Sequence, residues 1–124
     1  MQLTDRTVGN ALILVASGRI DHASAESFRA ALQPHLDHCR AGASIVVLDL
    51  SGVDYISSVG LRVLMLAAKQ VRPQGGNIAV AALQPVVREI FEISKFNLVI
   101  PCFAGVREAL AELSPSALTA LGTA

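Results

Sequence analysis

Neither sign of charge predominates in this chain: ten basic and ten acidic residues cancel. That balance leaves no basic excess for a nucleic-acid footprint and directs attention to a protein partner or a short anionic one. Cysteine is scarce, with Cys39 and Cys102 far apart. No disulfide framework is expected, and both read as buried free thiols in a reducing compartment. Long apolar runs are missing as well. The run Ala11–Ala16 falls far short of the roughly 20 residues a membrane-spanning helix needs. The start has no charged segment leading into a long apolar stretch, so it does not read as a signal peptide. These absences read as a cytoplasmic protein with no membrane insertion and no direct contact with nucleic acid.

What the chain does have is apolar mass. Of 124 residues, 52% are hydrophobic and 16% charged, which excludes disorder and suits one domain built on a helix-covered sheet. Met1–Val8 and Ala11–Ser17 read as two strands, joined at Gly9-Asn10 by a tight hairpin. Gly18-Arg19-Ile20-Asp21 leads into a helix whose apolar stripe is Phe28, Leu32, Leu36 and Cys39; Pro34 implies a kink or an early end. Ser44–Leu50 is the clearest strand, because Ile45-Val46-Val47-Leu48 shows no polar alternation and so implies burial on both faces. A small, exposed-looking loop, Ser51-Gly52-Val53-Asp54, follows. The next helix covers about Val59–Arg72, with Leu61, Leu64, Met65 and Ala68 on one face, and ends at Pro73-Gln74-Gly75-Gly76. Asn77–Ala82 is a short strand, Pro85 opens a helix carrying Val86, Ile90 and Phe91, and Leu98-Val99-Ile100 is a last short strand. Val106, Leu110 and Leu113 stripe a final helix. The order β-β-α-β-α-β-α-β-α predicts an α/β fold with a mixed, mostly parallel sheet of four to five strands and about four helices. The domain spans 1–113. Residues 114–124, which carry no charge, form a tail that frays or adds one apolar turn around Leu118 and Leu121.

Ser57 and Ser58 stand where the second helix begins, and serine is a preferred N-cap. A cap accounts for one of them but not for two. The same helix start concentrates unpaired N–H donors and the positive end of the dipole, so a phosphate there is tolerated by the fold while adding about two negative charges to the surface. Nucleophilic catalysis fits poorly, since the pattern is not a nucleophile elbow and the only candidate bases are His22, His35 and His38. Phosphorylation of an aspartate, as in a response-regulator receiver, needs clustered acids around Mg²⁺, and no acidic pair or lysine ends the appropriate strands. Asp49 then reads as a buried or rim carboxylate bonded to loop amides, and Asp54 as a turn stabiliser. His35, His38 and Cys39 have ligand-like spacing, but a fourth zinc ligand is not evident, and a solvated helix face is the better reading. Gly75-Gly76 lacks the Lys and Ser/Thr of a phosphate loop and is a turn. Arg62, one turn beyond Ser58, is within reach of a phosphate or an acidic partner.

The segment VLDLSGVDYISSVGLRVL, Val47–Leu64, resembles the signature of STAS domains, most closely the bacterial anti-sigma factor antagonists. The likeness extends to Gly18-Arg19-Ile20-Asp21, Val87-Arg88-Glu89-Ile90-Phe91, Phe96-Asn97-Leu98 and Val106-Arg107-Glu108-Ala109-Leu110, nearly the whole chain. It implies a protein-interaction switch, not an enzyme, with no cofactor and no metal. In that family a serine two residues before the glycine that is here Gly60 is phosphorylated by a kinase that is also the anti-sigma factor. That position maps to Ser58. Unphosphorylated antagonist binds the anti-sigma factor and frees the sigma factor, and a serine phosphatase resets it. Asp21 matches a family acid close to the phosphorylation site and implicated in partner contact; with Ser57, Ser58 and, from its position, Arg62, it makes up the expected partner-binding set. The family often has Asp immediately before the acceptor, where this chain has Ser57, which leaves Ser57 as an alternative acceptor; Val59 replaces a further Ser or Thr. On this reading Ser58 both caps the helix and accepts the phosphate. STAS domains also sit beside transporters and lipid-trafficking ATPases, so the alternative is an accessory subunit docked on such a system. A third reading is a small-ligand sensor.

Overall fold

The computed structural model describes residues 1–40 and 45–122. Its sheet has five strands in the order β1-β2-β3-β4-β5: Gln2–Val8, Ala11–Ile20, Ile45–Ile56, Asn77–Ala81 and Cys102–Phe103. β1 and β2 pair antiparallel, with Val8 opposite Ala11, and Gly9 at φ 59° provides the left-handed residue that the tight turn requires. The pairs β2–β3, β3–β4 and β4–β5 are parallel.

Helices α1 (Ala25–Asp37), α2 (Ser58–Val71) and α3 (Pro85–Ile93) cover one face, and α4 (Val106–Leu113) and α5 (Pro115–Gly122) the other. The central strand β3 explains the division. Val46, Leu48 and Leu50 point into a core with Phe28, Leu32, Leu64 and Phe91, while Ile45 and Val47 meet Ala109, Leu110 and Ala117. A strand buried on both sides has no polar alternation, as expected for a helix-flanked parallel sheet. The helix of the expected tail is held to the β1–β2 turn: Ser114 Oγ donates to Asn10 Oδ1 at 2.5 Å and accepts the Ala117 N–H at 3.3 Å. Leu118 and Leu121 pack against the smaller core; residues 123 and 124 lie outside the described residues.

Two local expectations are corrected. Ser51-Gly52-Val53-Asp54 is not a loop: β3 continues through it to Ile56, opposite Ser17–Ile20, with two register irregularities in β2–β3 that absorb the mismatch. The expected start of this strand at Ser44 lies outside the described residues. Leu98-Val99-Ile100 is not a strand. Phe96–Leu98 forms a single 3-10 turn, because the Phe96 ring is drawn into the core against Phe91, with centroids 5.3 Å apart at 72°. The last strand comes later, at Cys102–Phe103. Helix α1 runs through Pro34 to Asp37 without ending early.

Candidate functional site

Ser57 and Ser58 take different roles. Ser57 has extended backbone (φ −88°, ψ 172°) and is the N-cap of α2; its Oγ accepts the Gly60 N–H at 3.2 Å. Ser58 is the first helical residue, exposed, and among the described residues its hydroxyl has no hydrogen-bond partner. The expectation that Ser58 also caps the helix is therefore corrected: the neighbouring hydroxyl caps, and that of Ser58 is left open to solvent. Asp is as good an N-cap as Ser, so Ser57 in place of the family's usual acid leaves the helix start intact.

The start of α2 is fixed tightly against the sheet. Ser57 N–H donates to the Ile20 carbonyl at 2.8 Å. Gly60 sits over Ile20 and Ile56, and a Cβ there would lie 2.8 Å from a carbon of each. Such overlap cannot be relieved without moving the helix or both isoleucines. Gly60→Val is expected to cost about 2–3 kcal/mol, seen as a lower urea midpoint at unchanged slope. A midpoint equal to that of the parent would show that this contact sets nothing.

Asp21 lies at the end of β2, beside this helix start. Its carboxylate accepts the N–H groups of Ala23 and Ser24 at 3.0 and 3.1 Å and Arg19 Nε at 3.1 Å. Arg19 also stacks 4.1 Å from the centre of the Tyr55 ring on β3, tying the two strand ends together. Desolvation pushes the Asp21 pKa up, but the Ser24 and Ala23 amides, the Ser24 hydroxyl and Arg19 outweigh it, holding the carboxyl below its ordinary value of 3.8. A depressed carboxylate adds stability that is present above its unfolded-state value and lost as pH falls through the folded-state one. The difference in melting temperature between the parent and Asp21→Ala is therefore expected to be full at neutral pH and to close below about pH 4. A difference independent of pH would sink this assignment.

Ser58 and Arg62 line one groove of about 400 Å³ together with Leu61, Met65 and Phe96. Val59 and Arg62 also line a second groove, of about 240 Å³, on the α1 side with His22 and Glu26. Val59, which lines both hollows, and Leu66, further along α2 in the second, expose 38% and 46% of their surface, so the outer face of α2 offers apolar contact beginning beside the serine. No acidic residue occupies the first turn of α2, so the positive end of its dipole is not neutralised there. Of the residues the sequence singled out, Ser58 and Arg62 share this groove, whereas Ser57 and Asp21 line neither hollow; Met65 and Phe96 were not singled out as site residues, because their place in the groove arises from packing. Asp49 Oδ1 accepts the Ser51 N–H at 2.9 Å, as expected for a rim carboxylate, whereas Asp54 lies on the exposed part of β3 and stabilises no turn. Cys39 is buried with Sγ 3.5 Å from the Asn77 carbonyl, whereas Cys102 is exposed, contrary to expectation. Among the described residues, no three His, Cys, Asp or Glu side chains converge as a metal site would require.

The model of the STAS domain family matches residues 2–109. The chain belongs to the STAS domain family. A Bordetella bronchiseptica protein named as an anti-sigma factor antagonist, BtrV, is 43% identical over 118 residues, covering 95% of this chain and 98% of that protein. An anti-sigma F factor antagonist from Paenibacillus polymyxa is 28% identical over 102 residues, covering 82% and 86% of the two chains. The crystal structure of an anti-sigma factor antagonist from Mycobacterium paratuberculosis superposes on this STAS domain with a TM-score of 0.79 at 22% identity, covering 89% of this chain and 91% of that one. Among the described residues of this STAS domain, no helix is long and apolar enough to cross a membrane.

Proposed function

We propose that this chain is an anti-sigma factor antagonist: a cytoplasmic binding protein, not an enzyme, that captures an anti-sigma factor with serine kinase activity and so releases a sigma factor. Phosphorylation of Ser58 by that kinase ends the capture, and a serine phosphatase restores it. The observation that carries the switch is the exposed Ser58 hydroxyl, open at the first position of α2 beside Arg62 and the apolar groove. Ser57 is the poorer acceptor, because its oxygen is half-buried and engaged with Gly60. A phosphate on Ser58 meets the positive end of α2 and has Arg62 one turn away, so the fold tolerates it. The docking face does not, since it gains about two negative charges beside Val59, Leu61 and Met65.

The test is intact mass and peptide mapping after incubation with the cognate kinase and ATP. One phosphate on Ser58 is expected, lost in Ser58→Ala and kept in Ser57→Ala. Phosphate found on Ser57, or none at all, overturns the assignment. The relatives named as antagonists favour this reading over a subunit docked on a membrane transport system or a lipid-trafficking ATPase.

A further inference from the structure

A second cavity lies away from Ser58, at the carboxyl ends of β4 and β5. Its volume is about 320 Å³, the lower end of the range for small-molecule sites. In open α/β sheets the carboxyl ends of parallel strands are where ligands bind, because loops diverge there and leave a crevice. Leu83 and Phe103 supply apolar walls over the buried Phe91, and Arg88, Glu92 and Asn97 supply polar groups. Arg88 and Glu92 are one turn apart on α3 and of opposite sign, yet among the described residues neither side chain has an ion-pair or hydrogen-bond partner. Arg88 shares the cavity lining with the Cys102 thiol.

The backbone around the cavity is also unusual. Among the described residues only two non-glycine residues adopt positive φ, Ala82 at 60° and Lys95 at 57°. One immediately precedes the cavity residue Leu83 and the other stands two residues before Asn97. Left-handed conformations cost energy for residues with a Cβ and cluster at binding sites.

We propose that this cavity binds a free α-amino acid with an apolar side chain. Its carboxylate pairs with Arg88 and the Asn97 amide, its ammonium with Glu92, and its side chain lies against Leu83 and Phe103. The two charges on α3 explain the choice: an anion alone would meet Glu92 unfavourably, and a cation alone Arg88. A peptide end carries only one of the two groups, so a free amino acid is the fitting class. This site stands apart from Ser58, so it and the phosphorylation switch fail independently.

The experiment titrates the full chain with L-leucine, 4-methylpentanoate, which lacks the ammonium, and isoamylamine, which lacks the carboxylate. Amide chemical shifts and calorimetry are read. Saturable one-to-one binding of L-leucine is expected, with shifts centred on Leu83, Asn97 and Phe103. Arg88→Leu and Glu92→Gln are each expected to weaken it about tenfold or more, since both side chains are exposed and their loss leaves the fold intact. No saturation at about 10 mM L-leucine, shifts centred elsewhere, or equal binding of either truncated analogue overturns the proposal.

Discussion

Ser58→Asp is expected to weaken binding of the anti-sigma factor by about 100-fold, or about 2.7 kcal/mol, while Ser58→Ala stays within about threefold of the parent. The asymmetry follows from where the hydroxyl sits. It is exposed, and among the described residues it makes no hydrogen bond, so removing it strands no buried partner. Adding a carboxylate places a charge on a face whose neighbours are Val59, Leu61 and Met65, and docking must then desolvate that charge. Stability moves the other way. A negative group at the first turn of α2, which has no acid of its own, is expected to leave the melting temperature unchanged or raise stability by about 0.3–1 kcal/mol. Binding measured by calorimetry and unfolding measured by circular dichroism thus separate a switch from a folding defect. If Ser58→Asp binds as the parent does, the charge is not the signal. If it binds weakly and also melts early, the hydroxyl was structural.

The reason this site was partly legible in the sequence is that its two components have short-range signatures. β3 announces itself at Ile45–Leu48 because a strand buried on both faces cannot alternate. α2 shows its helical stripe only in part: Leu64 and Ala68 are buried as expected, but Leu61 and Met65 are half-buried and Val63 and Ala67 take the inner positions, while serines mark its start. Which serine caps is a question of backbone angles, and adjacent residues of one type carry no signal to separate them. The stretch Ser51–Asp54 reads as a loop by composition, but pairing with Ser17–Ile20 overrides that local preference. At Leu98–Ile100 the error ran in the opposite sense. Branched residues imitate a strand, whereas the decisive contact is made by Phe96, whose partner Phe91 lies on a preceding helix. The charges of the second cavity are legible as exposed helix residues and no more, since the strand ends and the 3-10 turn that enclose them come together only in the fold.

Phe91→Ala is expected to be the most damaging single truncation near the site, at about 3–5 kcal/mol. Helix α3 has nine residues and only two of them, Val87 and Phe91, are buried, so one substitution removes most of its anchorage. Phe91 is 1% exposed and its ring meets Phe96 edge-on. Losing it opens a cavity under α3 and frees the 3-10 turn at the same time. Domains of this size hold only about 5–15 kcal/mol in total, so a fall in melting temperature on the order of 10–20 °C is expected. The double variant with Phe96→Ala separates the pair from the burial: about 0.5–1.5 kcal/mol of coupling is expected beyond the two single losses. A single-variant loss under about 1 kcal/mol would show that α3 is held by something other than this ring. Because Phe96 also forms a wall of the Ser58 groove, the Phe91→Ala protein should dock its partner more weakly even at temperatures where it remains folded. Unfolding and binding curves measured on the same sample decide whether the groove depends on the aromatic pair beneath it.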